Sequence, residues 1–136
     1  MILFVRLKRK EFPISKRNVV HIEIPAADLA IAGKFYQDLF GWKIESVPEM
    51  NYTLWEPEVG PGGGFSPLGE AVKPGDVLIY VDSADIEADL ARIKELGGEV
   101  LSPKTEIPQT GWFALFKDPT GNTIALYTSI NPEFNQ

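Results

Sequence analysis

Residues 19–41 read VVHIEIPAADLAIAGKFYQDLFG, residues 77–98 read VLIYVDSADIEADLARIKELGG, and the two stretches follow one plan. Each opens with β-branched and aromatic residues, the composition of a strand. Each then crosses a small-residue segment holding an aspartate, Asp28 or Asp85, and enters a run with helical spacing. In the first helix Leu29, Ala32, Phe35, Tyr36 and Leu39 share a face, with Phe35 expected in the core. In the second, Ile86, Leu90, Ile93 and Leu96 recur at spacings of three and four. Both runs stop at a glycine, Gly41 and Gly97, as a left-handed C-terminal cap prefers. The aspartates lie 57 residues apart and the glycines 56, so chance is a poor explanation.

Three further strand candidates follow each helix: 42–47, 52–56 and 63–68 in the first half, 99–103, 112–116 and 123–128 in the second. Asp118-Pro119-Thr120-Gly121-Asn122 is the turn before the last of them. The expected fold class is therefore α+β, two βαβββ repeats forming curved mixed sheets around a cavity. Repeat one covers about 18–70 and repeat two about 75–130, between an N-terminal extension, 1–17, and a C-terminal tail, 131–136. One half alone would leave half its sheet uncovered, which makes the duplication physically sensible.

The 136 residues suit a single domain that buries roughly two-thirds of its unfolded surface. With no cysteine, disulfides, thiolate metal sites and thiol nucleophiles are excluded. No apolar run approaches the roughly 20 residues that span a bilayer, and the expected compartment is the cytoplasm. Six of the 13 basic residues (Arg6, Lys8, Arg9, Lys10, Lys16, Arg17) precede residue 18, leaving 7 basic against 18 acidic residues beyond it. Such an acidic body repels phosphate backbones, so nucleic acid is not an expected partner. The basic start, with its charges after its apolar residues, reverses the order of a secretory signal and is expected to form an edge strand or a flexible extension, the alternative being a basic arm that touches a partner.

The repeat and its wording resemble the vicinal oxygen chelate superfamily of glyoxalase, bleomycin-resistance and dioxygenase-like proteins. The likeness is carried by Val20-His21-Ile22-Glu23-Ile24, Asp28, Lys34-Phe35-Tyr36 and Leu39-Phe40-Gly41-Trp42. It continues through Val81-Asp82, Leu96-Gly97-Gly98, Gly111-Trp112-Phe113-Ala114 and the turn at 118–122, covering about residues 18–130. The resemblance implies metal ligands on the first and fourth strands of each half. Carried over, those positions fall on His21, within Gly62-Gly63-Gly64-Phe65, near Leu78 or Tyr80, and on Ala125. One ligand in four survives, whereas a catalytic metal site uses about three protein ligands. No metal and no cofactor are therefore expected.

His21 is the only histidine, and Glu23, two residues on, shares its strand face. The pair reads either as a hydrogen-bonded strand histidine or as a cavity-facing acid/base group. Tyr80, Trp112, Tyr127, Phe65 and Trp55 are the candidate aromatic lining of a ligand cavity. The glycine-rich run at 60–64 precedes neither Lys-Ser/Thr nor a helix, so it is no phosphate loop. The expected function is binding of a small organic molecule in an aromatic-lined cavity without a complete metal site. The alternatives are an isomerase or lyase of glyoxalase type using His21 and Glu23, with or without a weakly held divalent metal, and a regulatory or scaffolding protein with a vestigial cavity. A homodimer is expected, because family members often pair and exposed strand edges invite it.

Overall fold

In the computed structural model, which describes residues 15–130, both copies of the repeat take the same form. Val20–Ile79 make one compact unit; the described residues up to Val19, together with those from Tyr80 onward, make the other.

The first unit runs β1 (Val19–Ala26), α1 (Leu29–Phe40), β2 (Lys43–Val47), a 3-10 turn at Pro48–Met50, β3 (Tyr52–Glu56) and β4 (Gly62–Pro67). Its strands lie in the order β2-β3-β4-β1, with β1 and β4 parallel and the others antiparallel. Asp28 caps α1 by accepting from the Ile31 amide at 3.0 Å, and Gly41, at φ 77°, ends it by donating to the Gln37 carbonyl. That φ lies in the left-handed region, where a side chain would be strained.

The helix keeps Leu29, Ala32 and Tyr36 of the expected face at least half-buried, but turns Phe35 and Leu39 outward. Gly33 is buried against Ile44, and Tyr36 stacks on both Trp42 and Phe65 with ring centres 5.3 and 5.4 Å apart. Trp42 in turn stacks on Trp55 at 4.1 Å. A helix that sets a glycine and one tyrosine against its sheet approaches closely, and residues 100° away are carried outward. Phe35, expected in the core, is consequently 56% exposed and forms an outer row with Ile31 and Leu39.

The second unit runs β5 (Leu78–Asp82), α2 (Ile86–Glu95), β6 (Glu99–Ile107), β7 (Gly111–Lys117) and β8 (Thr123–Ser129). Its order, β6-β7-β8-β5 with β5 and β8 parallel, matches the first unit strand for strand. Asp85 caps α2 through the Ala88 amide at 3.0 Å, so the two matched aspartates do the same work. Ile86 and Leu90 pack on Ala114 and Leu126, flanked by Ile93, Val100, Trp112 and Phe116. Strand β6 continues four residues beyond the expected stop at Pro103. It lies at an end of its four-strand order, and a proline on an edge need not cost a ladder hydrogen bond. Asp118 folds the turn before β8, its carboxylate accepting from the Thr120 and Asn122 amides at 2.9 Å.

Of the basic N-terminal residues, Lys16 and Arg17 are described. Arg17 grips Asp89 of α2 with both guanidinium nitrogens, at 2.6 and 2.9 Å. Arg6, Lys8, Arg9 and Lys10 lie outside the described residues, as does the tail at 131–136.

Candidate functional site

Side chains alternate along a strand, so His21 and Glu23 of β1 emerge on the same face. Opposite them in the parallel register stand Gly62 and Gly64 of β4, which present no side chain. Into this space leans Tyr52 from the start of β3. Its hydroxyl donates to Glu23 Oε2 at 2.8 Å and lies 2.7 Å from His21 Nε2. The imidazole and phenol planes are nearly parallel, 17° apart. A side chain at residue 64 would run into the Tyr52 ring, so glycine there is a condition for the arrangement.

The phenol has one proton, and it goes to Glu23. An imidazole carrying its proton on Nε2 would donate to the same oxygen. Burial pushes the His21 pKa down from 6.5 to about 4, which keeps the ring neutral at physiological pH. A neutral imidazole linked through a phenol to a carboxylate has the parts of an acid/base relay.

Beside this trio is a cavity of about 240 Å³ whose lining includes His21, Lys43, Glu45, Leu54, Glu56 and Gly62. Its charged groups and aliphatic floor suit a small molecule with both polar and apolar parts. Another cavity of about 260 Å³ borders α1, lined by residues that include Leu29, Gly33, Ile44 and Thr53; no charged side chain lines it.

The expected aromatic lining is redistributed. Phe65 is 0% and Trp55 4% exposed; both belong to the aromatic stack with α1, although Trp55 also contributes to the wall of the 240 Å³ cavity. Trp112 packs against the α2 core and carries Lys104 Nζ 5.2 Å above its ring. The physical reason is register: each of these three lies in the alternation on the side of its sheet that takes the helix. Tyr80 and Tyr127 take the opposite side in the second unit, pairing with Ala125 and Asp82 while Leu126 between them faces the core. The Tyr127 hydroxyl donates to the Thr110 carbonyl at 3.3 Å, and burial raises its pKa. Asp82, 2% exposed, has its pKa raised by the same cause, and its Oδ1 has no hydrogen-bond partner among the described residues.

The donor set does not fit a divalent metal. His21 and Glu23 are joined by no carboxylate from β4, and in the second unit the corresponding places hold Tyr80 and Ala125. Among the described residues no three His, Asp or Glu side chains come together in a way that would hold an ion. Sequence reasoning missed Tyr52 as a partner of the pair. The available signal was the run of three glycines at 62–64, since a strand without side chains leaves room for a large one from its neighbour.

Comparison with known proteins agrees with this architecture. Residues 18–56 match the family described as bleomycin resistance protein-like N-terminal. A glyoxylase-like domain-containing protein of Didymella fabae is 32% identical over 115 residues, 79% of this chain and 90% of its own length. A protein of Mycobacterium bovis named as a glyoxylase is 30% identical over 138 residues; the match takes in 88% of this chain but only about half, 48%, of that relative. Among solved structures, a glyoxalase/bleomycin resistance/dioxygenase superfamily member from Vibrio splendidus shares the fold. Its TM-score is 0.63 at 17% identity, over 84% of this chain and 100% of that one. The chain belongs to the vicinal oxygen chelate superfamily, within its glyoxalase-like and bleomycin-resistance-like proteins.

Proposed function

We propose that this protein binds a small organic molecule against the strand face of its first unit, without need of a divalent ion. The observation that carries the reading is the His21–Tyr52–Glu23 chain at the edge of the 240 Å³ cavity, a fixed polar head beside Leu54. A cavity of this size holds a compact ligand whole, or one end of a larger one. Tyr80 and Tyr127, on the non-helix face of the second unit, are retained as candidate ligand-binding residues. A homodimer and a cytoplasmic location complete the proposal. The absence of cysteine suits a reducing compartment, and the row Ile31, Phe35 and Leu39 offers apolar surface for a second copy.

Calorimetry on EDTA-treated protein tests the binding, with bleomycin, the hemithioacetal of methylglyoxal and glutathione, and a set of aromatic amines and phenols as probes. Saturable binding of at least one probe in EDTA is expected, weakened about tenfold by His21→Asn, the scale of one lost hydrogen bond. Binding that appears only on adding metal, or no saturable binding at all, would overturn the reading.

A second reading is favoured by the neutral, carboxylate-linked state of His21: a metal-independent isomerase or lyase in which His21 takes a proton and Glu23, through Tyr52, stabilises the imidazolium. Turnover of the hemithioacetal that His21→Asn abolishes would put this reading first. None is expected for a binding protein.

A further inference from the structure

The Tyr52 hydroxyl occupies the place where a cation shared by His21 and Glu23 would sit. It stands 2.7 Å from the imidazole nitrogen and 2.8 Å from the carboxylate oxygen. An ion bridging the same two atoms would need to come within about 2.0–2.2 Å of each. A neutral phenol is a poor substitute for a third ligand, because its oxygen carries no charge and still holds its proton, which bonds Glu23. The opposing strand supplies nothing in its stead, since Gly62 and Gly64 face the pair. The two features depend on each other: the ring fits only because residue 64 has no side chain, and a longer residue 64 would have to displace the ring.

We propose that Tyr52, admitted by Gly64, is the specificity-determining residue of this site, excluding a divalent ion and holding His21 in its Nε2–H tautomer. Tyr52 thereby positions the imidazole, and the site is addressed to an organic ligand and not to a metal-bound oxygen. This deepens the metal-free reading of the pocket and rests on it.

Two measurements on the full chain test it. With a single histidine, long-range proton–nitrogen correlation of uniformly 15N-labelled protein at neutral pH reads the tautomer without ambiguity. The Nε2–H form is expected to dominate in the native protein and to give way to a mixture in Tyr52→Phe, which keeps the ring but loses the hydroxyl. An Nδ1–H form in the native protein, or an unchanged population in the variant, would sink the proposal. The second measurement titrates zinc and manganese into native protein, Tyr52→Phe and the double variant Y52A/G64E, whose folding is checked by circular dichroism. The double variant gathers His21, Glu23 and a new carboxylate, and is expected to bind metal about tenfold or more tighter than the native chain. Tyr52→Phe is expected to gain little, because losing the hydroxyl brings no third ligand to His21 and Glu23. Stoichiometric zinc on the native chain would sink this proposal and the metal-free reading together. A folded double variant with no gain would sink only the role given to Tyr52 and Gly64. Should the double variant not fold, the tautomer measurement decides alone.

Discussion

His21 shows how a single burial decision reaches solution behaviour. Its pKa stands at about 4 when folded against 6.5 when exposed, so between those values the unfolded chain holds a proton that the native chain does not. Stability is therefore lost as pH falls from 6.5 towards 4, by up to about 3 kcal/mol from this residue. Below pH 4 the native imidazole also charges and the loss from this source stops growing. Urea midpoints measured across that window should fall less steeply with acid in His21→Asn than in the native chain. Equal slopes would mean that the imidazole is not withdrawn from water as described. Groups remote from His21 contribute to both proteins alike.

At the scale of elements, the paired caps are the most direct link from sequence to structure. Asp28 and Asp85 were matched by spacing alone, and each accepts one amide proton of the first helical turn. Replacing Asp85 by alanine should cost about 1 kcal/mol, and replacement by asparagine or serine much less. Chemical denaturation measures this, and a neutral Asp85→Ala would deny the cap its role. Helix α1 teaches the opposite lesson. Its apolar residues were expected on one face holding Leu29, Ala32, Phe35, Tyr36 and Leu39. Close approach at Gly33 and the aromatic stack of Tyr36 with Trp42 and Phe65 narrowed the buried face and left Phe35 and Leu39 outside it. No pattern in the helix itself contains that information, because it resides in the volumes of residues from β2 to β4.

On the scale of the whole molecule, the exposed row on α1 bears on assembly. Ile31 is 68%, Phe35 56% and Leu39 58% exposed, an apolar stripe one helical repeat apart. Lys34 and Asp38 alongside it pair with each other at 2.7 Å. In an antiparallel pairing of two copies, each lysine would meet the other copy's aspartate, so the face is complementary to itself. Light scattering is expected to give about twice the 15.1 kDa chain mass, and Phe35→Glu, at an exposed position, to return the mass to that of one chain with the fold intact. A native particle of 15.1 kDa would exclude the dimer.

The duplicated βαβββ plan, the caps, the glycine stops and the turn at 118–122 were legible because they are local. Each depends on the backbone preferences of a few neighbouring residues, and the repeat stated them twice. The same holds for His21 and Glu23, whose common face follows from the two-residue period of a strand. The strand bearing the aromatics could be named, but not the side of the sheet to which Trp55, Phe65 and Trp112 turn. That depends on which face receives the helix, and all three went to the packed side. Nor did the sequence point to Tyr52, 31 positions from His21. A side chain crosses to another strand only when register and empty volume coincide. Here both come from the pairing of β1, β3 and β4 around Gly64, a property of the folded sheet with no counterpart along the chain.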